Sequence, residues 1–416
     1  MSLTKVTNSM IQGAFVNVLD YLTPAEITDV QSNTGSIDIT AKVQAAIDAA
    51  SAISTVGGAF VYFPTGTYSV STLTWGQQVS MIGEGHYSSI IKANTAATDT
   101  LILFENVSRS TIRDIWFDGN NLCSRTWKFR ATTSAGSVLF EHVQFTGATT
   151  YTVELADAGV GPDDVAHILF IQCYLRSDPT VALLAQFRNN AANAVLITFI
   201  GGILSTRNTA SNVNAEILNG TVTFIDTYFS GAGTGDIDST AGTVRVFGGR
   251  SESGGFFFRS QAADTSGLSQ SPHLFEGFQS SNTGTDAFSL QGERVTTINA
   301  CQGEQIYVAG KAVAEIGTYT SNLASPYVSA NVGGFQGTIR SIGLPFSPIV
   351  SSSAYPHKDS VGINGTSFGG GQAVIFIGNA TTVPTTNPAA GGILYVSSGA
   401  LVYRGSSGTV TTIAAA

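Results

Sequence analysis

The chain has 416 residues, of which 11% are charged, 43% are apolar and 46 residues are glycine, and its formal net charge is -9. The apolar share is too high for a disordered chain, and the acidic balance predicts no nucleic-acid binding. No apolar run approaches the roughly 20 residues of a membrane-spanning helix, and residues 1–10 lack the apolar core of a signal peptide. We therefore expect a protein that is made in a cytoplasm and does not insert into a membrane.

The first element predicted along the chain is a helix at about residues 40–52, with Thr40 as its N-cap. Its apolar side chains follow the i, i+3, i+4, i+7 spacing of one buried face: Val43, Ala46, Ile47 and Ala50. Residues 57–70 then alternate apolar and polar side chains around Pro64–Gly66, which predicts two short strands and a turn. We expect the helix to cover the open end of a stack of such strands.

A six-residue pattern, apolar-x-x-apolar-x-apolar with small residues in some slots, recurs nine times between residues 112 and 321. Successive matches begin 18 to 30 residues apart, and turn-forming residues follow each match. Helical repeats do not vary in length in this way, and the leucine and asparagine consensus of leucine-rich repeats is missing. Because stacked coils require aligned inward residues but tolerate variable turns, the pattern predicts a parallel β-solenoid.

Four N-terminal segments occur in a familiar order: VNVLDYL (16–22), VQAAIDAA (43–50), GGAFVYFPTGTY (57–68) and MIGEG (81–85). This order resembles the start of pectate-lyase-like right-handed parallel β-helices, and more closely those of bacteriophage tailspikes. Residues 5–21 also resemble the linker before such helices in phage proteins. The resemblance is specific over residues 5–92 and only architectural over 93–345.

The resemblance implies an all-β fold, a right-handed parallel β-helix with an N-terminal capping helix and a small C-terminal β domain. It also implies a homotrimer in the virion tail that binds, and often cleaves, bacterial surface polysaccharide. Many tailspikes carry a sizeable particle-binding domain, whereas here little precedes the helix. We therefore expect attachment to another tail or baseplate protein through about the first 15 residues.

Three parts are expected: an attachment and linker segment (1–36), the β-helix (37–345), and a linker with a trimerisation domain (346–416). In the last part, ILYVSSGALVYR (393–404) predicts a hairpin. An isolated hairpin is barely stable in water, so we expect it to pack against copies of itself.

Stacking turns the outward positions of the pattern into vertical rows. One row is apolar in its middle, at Ile171, Ile200, Ile225 and Phe247. Such a row is expected to be covered, either by a second subunit of a trimer or by a loop of the same chain.

A second outward row carries aromatic, amide and charged side chains: Trp116, Gln144, Tyr174, Ile203, Tyr228, Arg250, Gln279 and Gln302. Aromatic faces stack on sugar rings, and amides bond to sugar hydroxyls. We therefore predict substrate binding by Trp116, Tyr174, Tyr228, Arg250 and Gln279. The alternative is that these aromatic side chains pack beneath loops.

Glycoside hydrolysis needs two carboxyl groups, about 5 Å apart for retention or about 6.5–9.5 Å apart for inversion. Asp226 and Glu252 lie on consecutive coils and are the predicted acid/base pair, with Asp238 as the next candidate. A lyase would instead use a base such as Arg250, but no motif of the calcium-dependent pectate lyases is present. Each carboxylate has the alternative of being a solvated surface group.

No cofactor or metal is expected, because the five histidines show no metal-binding spacing. The cysteines Cys123, Cys173 and Cys301 are widely separated, which predicts reduced thiols in the core.

Three functions remain open at this point. The favoured one is a tailspike that recognises and depolymerises capsule or lipopolysaccharide, by hydrolysis rather than elimination. The second is a tail adhesin of the same fold that binds without cutting. The third is a secreted bacterial polysaccharide lyase or hydrolase, against which the missing signal peptide and the fibre-like C-terminal segment count.

Overall fold

The structure is a computed structural model that describes most of the chain. The described residues are 15–54, 58–75, 78–97, 99–105, 109–130, 135–155, 165–190, 196–208, 213–231, 233–261, 272–281, 286–291, 294–309, 312–321, 323, 327–332, 335–336, 338–341, 361–363, 375–380 and 382–416. The expected attachment segment over the first 14 residues, and most of the expected linker after residue 345, lie outside them.

In the described residues, one 3-10 helix and two α-helices lie between the first strand, Val16–Asn17, and the second, Ala59–Phe63. The 3-10 helix is Val18–Tyr21, helix α1 is Pro24–Gln31 and helix α2 is Thr40–Ser54. Helix α1 begins with a capping box, in which Thr23 and Glu26 exchange side-chain and backbone hydrogen bonds.

The predicted apolar stripe of helix α2 is confirmed, since Val43, Ala46, Ile47 and Ala50 are all fully buried. Thr40 is the first residue of this helix rather than its cap. Its hydroxyl accepts a hydrogen bond from the backbone N–H of Ser71, at 2.7 Å, and so ties the helix to the first coil. None of the helices in the described residues is long and apolar enough to cross a membrane.

The predicted parallel β-helix is confirmed: successive coils contribute strands to three long sheets, which we name A, B and C. Sheet A contains Val16–Asn17, Ala59–Phe63, Val79–Gly83, Ser110–Arg113, Ala135–Glu141, Val165–Ile171, Leu196–Ile200, Thr221–Ile225, Thr243–Phe247, His273–Glu276, Val295–Asn299, Val313–Ile316 and Thr338–Ser341. Sheet B contains Gly66–Val70, Ser89–Ala93, Trp116–Asp118, Gln144–Thr146, Tyr174–Arg176, Ile203–Ser205, Tyr228–Ser230, Arg250–Glu252, Gln279–Ser280, Cys301–Gln302 and Tyr319–Thr320. Sheet C contains Leu73–Trp75, Thr100–Glu105, Arg125–Arg130, Tyr151–Leu155, Ala185–Asn189, Val213–Ile217, Gly235–Ser239, Phe256–Ser260, Asp286–Leu290, Gln305–Ala309, Tyr327–Val332 and Phe335–Gln336, of which the last pair is antiparallel.

The six-residue pattern is the junction between sheets A and B. Its first slot forms one buried column on sheet A, in which Phe140, Phe170, Phe199 and Phe224 pair in register. Their rings stack with centroids 4.9, 4.4 and 5.1 Å apart and nearly parallel planes. These four coils therefore share an aromatic stack in the interior of the β-helix, which favours their register.

The third position of the pattern turns the chain from sheet A to sheet B. In eight of the nine matches this residue has φ between 50° and 70°: Asp114, His142, Gln172, Gly201, Asp226, Gly248, Gly277 and Ala300. These eight corners therefore use a left-handed residue, and at Gly201 and Gly248 the following glycine is left-handed as well. This constant corner explains why the pattern keeps its length while the other turns vary.

The predicted apolar row on the outer face of sheet A is in register. Ile171, Ile200, Ile225 and Phe247 pair in sequence and are half-buried. The covering of this row by a second subunit stays a prediction.

The C-terminal unit contains the predicted hairpin. Strands Gly392–Ser397 and Ala400–Gly405 pair antiparallel, and Val410–Ala414 adds a third strand. A two-stranded parallel sheet, Val361–Ile363 with Ile375–Ile377, belongs to the same unit. Leu394, Val410 and Ile413 are about half exposed in this small sheet, at 49%, 50% and 57%. Its trimerisation role stays a prediction.

Candidate functional site

The outer row of sheet B is a true vertical row. Parallel pairing places Trp116, Gln144, Tyr174, Ile203, Tyr228, Arg250, Gln279 and Gln302 on successive strands in register. All five residues predicted to bind substrate therefore share one face, although their binding role stays a prediction. We call these eight residues the sheet B row.

Two aromatic side chains that the sequence pattern did not predict lie at the N-terminal end of the sheet B row, beside Trp116 and Tyr174. The turn before Ser89–Ala93 carries His86 and Tyr87, and the imidazole of His86 stacks on the ring of Tyr174 with centroids 5.4 Å apart. Tyr87 is 67% exposed and meets Trp116 edge to face at 6.5 Å. We call Trp116, Tyr174, His86 and Tyr87 the aromatic cluster.

Polar contacts hold the aromatic cluster in place. The indole Nε1 of Trp116 donates to Thr146 Oγ1 at 2.7 Å, which fixes the ring on the next strand. The guanidinium of Arg176 lies over the Tyr174 ring, 5.4 Å from its centroid. Burial lowers the pKa of His86, with a contribution from nearby His142, so the imidazole is neutral near pH 7. The cluster therefore presents oriented ring faces beside one cation.

A second group lies toward the C-terminal end of the row and consists of Tyr228, Arg250 and Glu252. The Tyr228 hydroxyl donates to Glu252 Oε2, and Arg250 pairs with Glu252 Oε1. The hydrogen bond to Glu252 raises the pKa of Tyr228. Both oxygens of Glu252 are thus engaged, on an exposed surface of sheet B.

Asp226 and Glu252 lie on opposite sides of the column formed by Tyr228 and Arg250. Asp226 occupies the corner between sheets A and B, four residues before Ser230, and Ser230 pairs with Glu252. Strand Tyr228–Ser230 therefore separates their backbones along the sheet, and the catalytic role of Asp226 and Glu252 stays a prediction.

Asp238 lies on a different face from the other two predicted catalytic residues. It belongs to sheet C, where Arg259 and Gln261 donate to its carboxylate. A ladder of charged side chains of both signs runs through the same column: Lys128, Glu154, Arg188, Glu216, Asp238 and Arg259. Asp238 therefore lies on a different sheet from Glu252 and away from the corner that holds Asp226, and its catalytic role stays a prediction.

This ladder contains two carboxylates on neighbouring strands. Glu216 pairs in register with Asp238, so their backbones are one strand spacing apart, about 4.8 Å. Burial raises the pKa of Glu216, and the carboxylates of Asp238 and Glu154 add to the rise against the opposing effect of Arg188. Arg188 forms an ion pair with Glu216 at 3.0 Å and Arg259 forms one with Asp238, so each carboxylate has its own guanidinium partner.

The three cysteines that the sequence predicts in the core are found there. The three cysteines are free and buried, and burial raises the pKa of Cys123 and Cys173 to about 12 and of Cys301 to about 11. Within the described residues, no group of three or more His, Cys, Asp or Glu side chains is placed to hold a metal ion.

Comparisons with known proteins agree with this fold. Residues 27–152 match the family model of rhamnogalacturonase A/epimerase, pectate lyase-like. The catalytic unit of a GH87 alpha-1,3-glucanase from Streptomyces thermodiastaticus is similar in structure, with a TM-score of 0.51 and 12% identity, over 79% of this chain and 68% of that chain. No curated protein matches the sequence of this chain.

Two phage proteins are also similar at lower scores. The tailspike gp49 of Acinetobacter baumannii bacteriophage Fri1, a capsular polysaccharide depolymerase, has a TM-score of 0.47 and 13% identity, over 74% of this chain and 62% of that chain. ORF18 of Geobacillus virus E2 has a TM-score of 0.42 and 14% identity, over 97% of this chain and 86% of that chain. The three parallel sheets, the family-model match over residues 27–152 and the structural similarity to the glucanase confirm the resemblance to pectate-lyase-like parallel β-helices for the fold.

Proposed function

We propose that this protein is a phage tail spike that binds a bacterial surface polysaccharide, either capsule or lipopolysaccharide, along the sheet B row. The observation that carries the proposal is the register of the row, which places aromatic, amide and arginine side chains at successive heights on one face. Such an alternation suits a chain of sugars, because rings stack on aromatic faces and hydroxyls bond to amides.

Replacing Tyr228 with alanine tests the role of the row. We expect the dissociation constant for purified host-surface polysaccharide to rise about tenfold, since one stacking contact is lost. Binding is measured by biolayer interferometry on immobilised polysaccharide. Tyr62→Ala is the matched control, because Tyr62 makes the same kind of hydrogen bond, to Glu84, on sheet A. Equal weakening by both variants would contradict a site on sheet B.

A second part of the proposal is that the spike cleaves the polysaccharide by hydrolysis. Glu252 is the carboxylate that adjoins the row, while Glu216 and Asp238 have the one-strand spacing of a retaining pair. New reducing ends on incubation with the polysaccharide would support hydrolysis, and absorbance of an unsaturated uronate would instead indicate elimination. Glu252→Gln and Asp238→Asn, compared in the same assay, separate the two positions. Binding without either product would support an adhesin.

The proposal includes a homotrimer in the virion tail. The half-buried apolar row of sheet A and the exposed apolar side chains of the C-terminal sheet support subunit contacts. The N-terminal order of segments, which resembles phage tailspikes, supports attachment to another tail protein. Sedimentation equilibrium should give three times 43.2 kDa, and a monomer would contradict this part.

A further inference from the structure

A buried amide lies at the centre of the aromatic cluster. Gln144 lies on the strand between those of Trp116 and Tyr174. Its side chain is only 5% exposed, although it points away from the interior of the β-helix. Its Oε1 atom is buried and has no hydrogen-bond partner among the described residues. An unsatisfied buried acceptor destabilises a fold. Its presence on an outer face indicates that a ligand can supply the missing hydrogen-bond donor.

The ring of Tyr174, on the strand next to Gln144, is covered by the His86 imidazole, whose described contacts are ring contacts with Tyr174 and Tyr87. The His86 imidazole lies on Tyr174 with the two planes only 25° apart. The turn that carries it is anchored at its base, where Gly85 N–H donates to Asp114 O and Glu84 N–H donates to Ser89 Oγ. A sugar ring stacked on Tyr174 would occupy the place of this imidazole.

One cation borders the same position. Arg176 lies over Tyr174, and within the described part of the chain no carboxylate forms an ion pair with it. A guanidinium oriented in this way forms paired hydrogen bonds with a carboxylate.

We propose that the aromatic cluster with Gln144 and Arg176 is a closed subsite for one acidic sugar unit of the polysaccharide. The sugar ring replaces His86 on Tyr174, one sugar hydroxyl donates to Gln144 Oε1, and the sugar carboxylate pairs with Arg176. This inference rests on the proposed function of the sheet B row and adds a position and a class of sugar to it.

The test compares Gln144→Leu and Gln144→Met with the wild-type protein in two readouts. We expect both variants to raise the melting temperature by about 2 °C, because the unsatisfied acceptor is removed. We expect the same variants to bind acidic polysaccharide at least about tenfold more weakly. A lower melting temperature in both variants, or unchanged binding, would overturn the inference.

Two further variants test the sugar class and the displacement of the imidazole. Binding is measured on a panel of purified bacterial polysaccharides with and without hexuronate or sialate units. Arg176→Gln should lose the preference for the acidic members, and His86→Ala should bind about threefold more tightly, because the imidazole no longer competes. Preference of the wild-type protein for neutral members would overturn the inference.

The matched control for this experiment is Tyr228→Ala, which lies on the same row outside the subsite. Loss of binding in Tyr228→Ala with unchanged binding in both Gln144 variants would overturn the subsite and leave the proposed function standing. A wild-type protein that binds no member of the panel would overturn the proposed function and the subsite with it.

Discussion

Replacing Phe170 with alanine is expected to lower the free energy of unfolding by about 3–5 kcal/mol. The Phe170 ring is 1% exposed and stacks between Phe140 and Phe199 in the interior column. Its removal leaves a cavity that the neighbouring coils cannot fill without losing the register of the stack. Denaturant-induced unfolding, followed by tryptophan fluorescence, measures the change.

Thr198→Ala is the control for this substitution. Thr198 lies beside Phe199 on sheet A but faces outward and is half-buried. We expect its replacement to change the free energy of unfolding by less than about 1 kcal/mol. A loss of that small size for Phe170→Ala would contradict the interior aromatic stack.

Asp236→Asn is expected to stabilise the protein above pH 7 and to have no stabilising effect near pH 4. Asp236 is fully buried on sheet C, where Asn214 Nδ2 donates to its carboxylate at 2.7 Å and the hydroxyls of Ser251 and Ser253 also donate. Burial nevertheless raises the pKa of Asp236 to about 6, against about 3.9 in an unfolded chain.

The sign of the effect follows from proton binding. Between pH 4 and 6 the folded protein holds a proton on Asp236 that the unfolded chain has released, so stability falls as the pH rises through this window. A difference of about two pH units between the two pKa values corresponds to about 3 kcal/mol at neutral pH. Asparagine keeps the shape without the charge, and its amide can still donate to a serine hydroxyl.

A second buried group has the opposite dependence and is present in both proteins. Burial lowers the pKa of His273 to about 3, so its contribution to stability is present above about pH 6.5 and is lost as the pH falls. Because His273 is common to both, the difference between the wild-type and Asp236→Asn curves isolates Asp236. Melting temperatures from pH 4 to pH 8 give this difference, and parallel curves would contradict the raised pKa.

Much of the fold was predictable because the junction between sheets A and B has a constant length. Each match of the pattern places inward residues on both sides of a corner that is left-handed in eight of the nine matches, so positions such as Tyr228 and Glu252 could be counted from Phe224 and Val246. The sheet B row and the apolar row of sheet A both follow from this counting. Side chains within the pattern were therefore placed on the right face.

Residues beyond the pattern could not be placed in the same way. Asp238 follows the turn between sheets B and C, whose length varies from coil to coil, and counting does not carry the register across it. His86 and Tyr87 belong to a turn that reaches over the row, and no periodicity marks such a turn. Helix α1 was missed, although Thr23, Pro24 and Glu26 form a recognisable start signal.

The most direct test of a polysaccharide site on sheet B is a crystal structure with an oligosaccharide cut from the polysaccharide that the protein retains. We expect sugar rings against Trp116, Tyr174 and Tyr228, in line with the direction in which the coils stack. Sugar bound only on the outer face of sheet C, beside Glu216 and Asp238, with none along the sheet B row, would contradict the account.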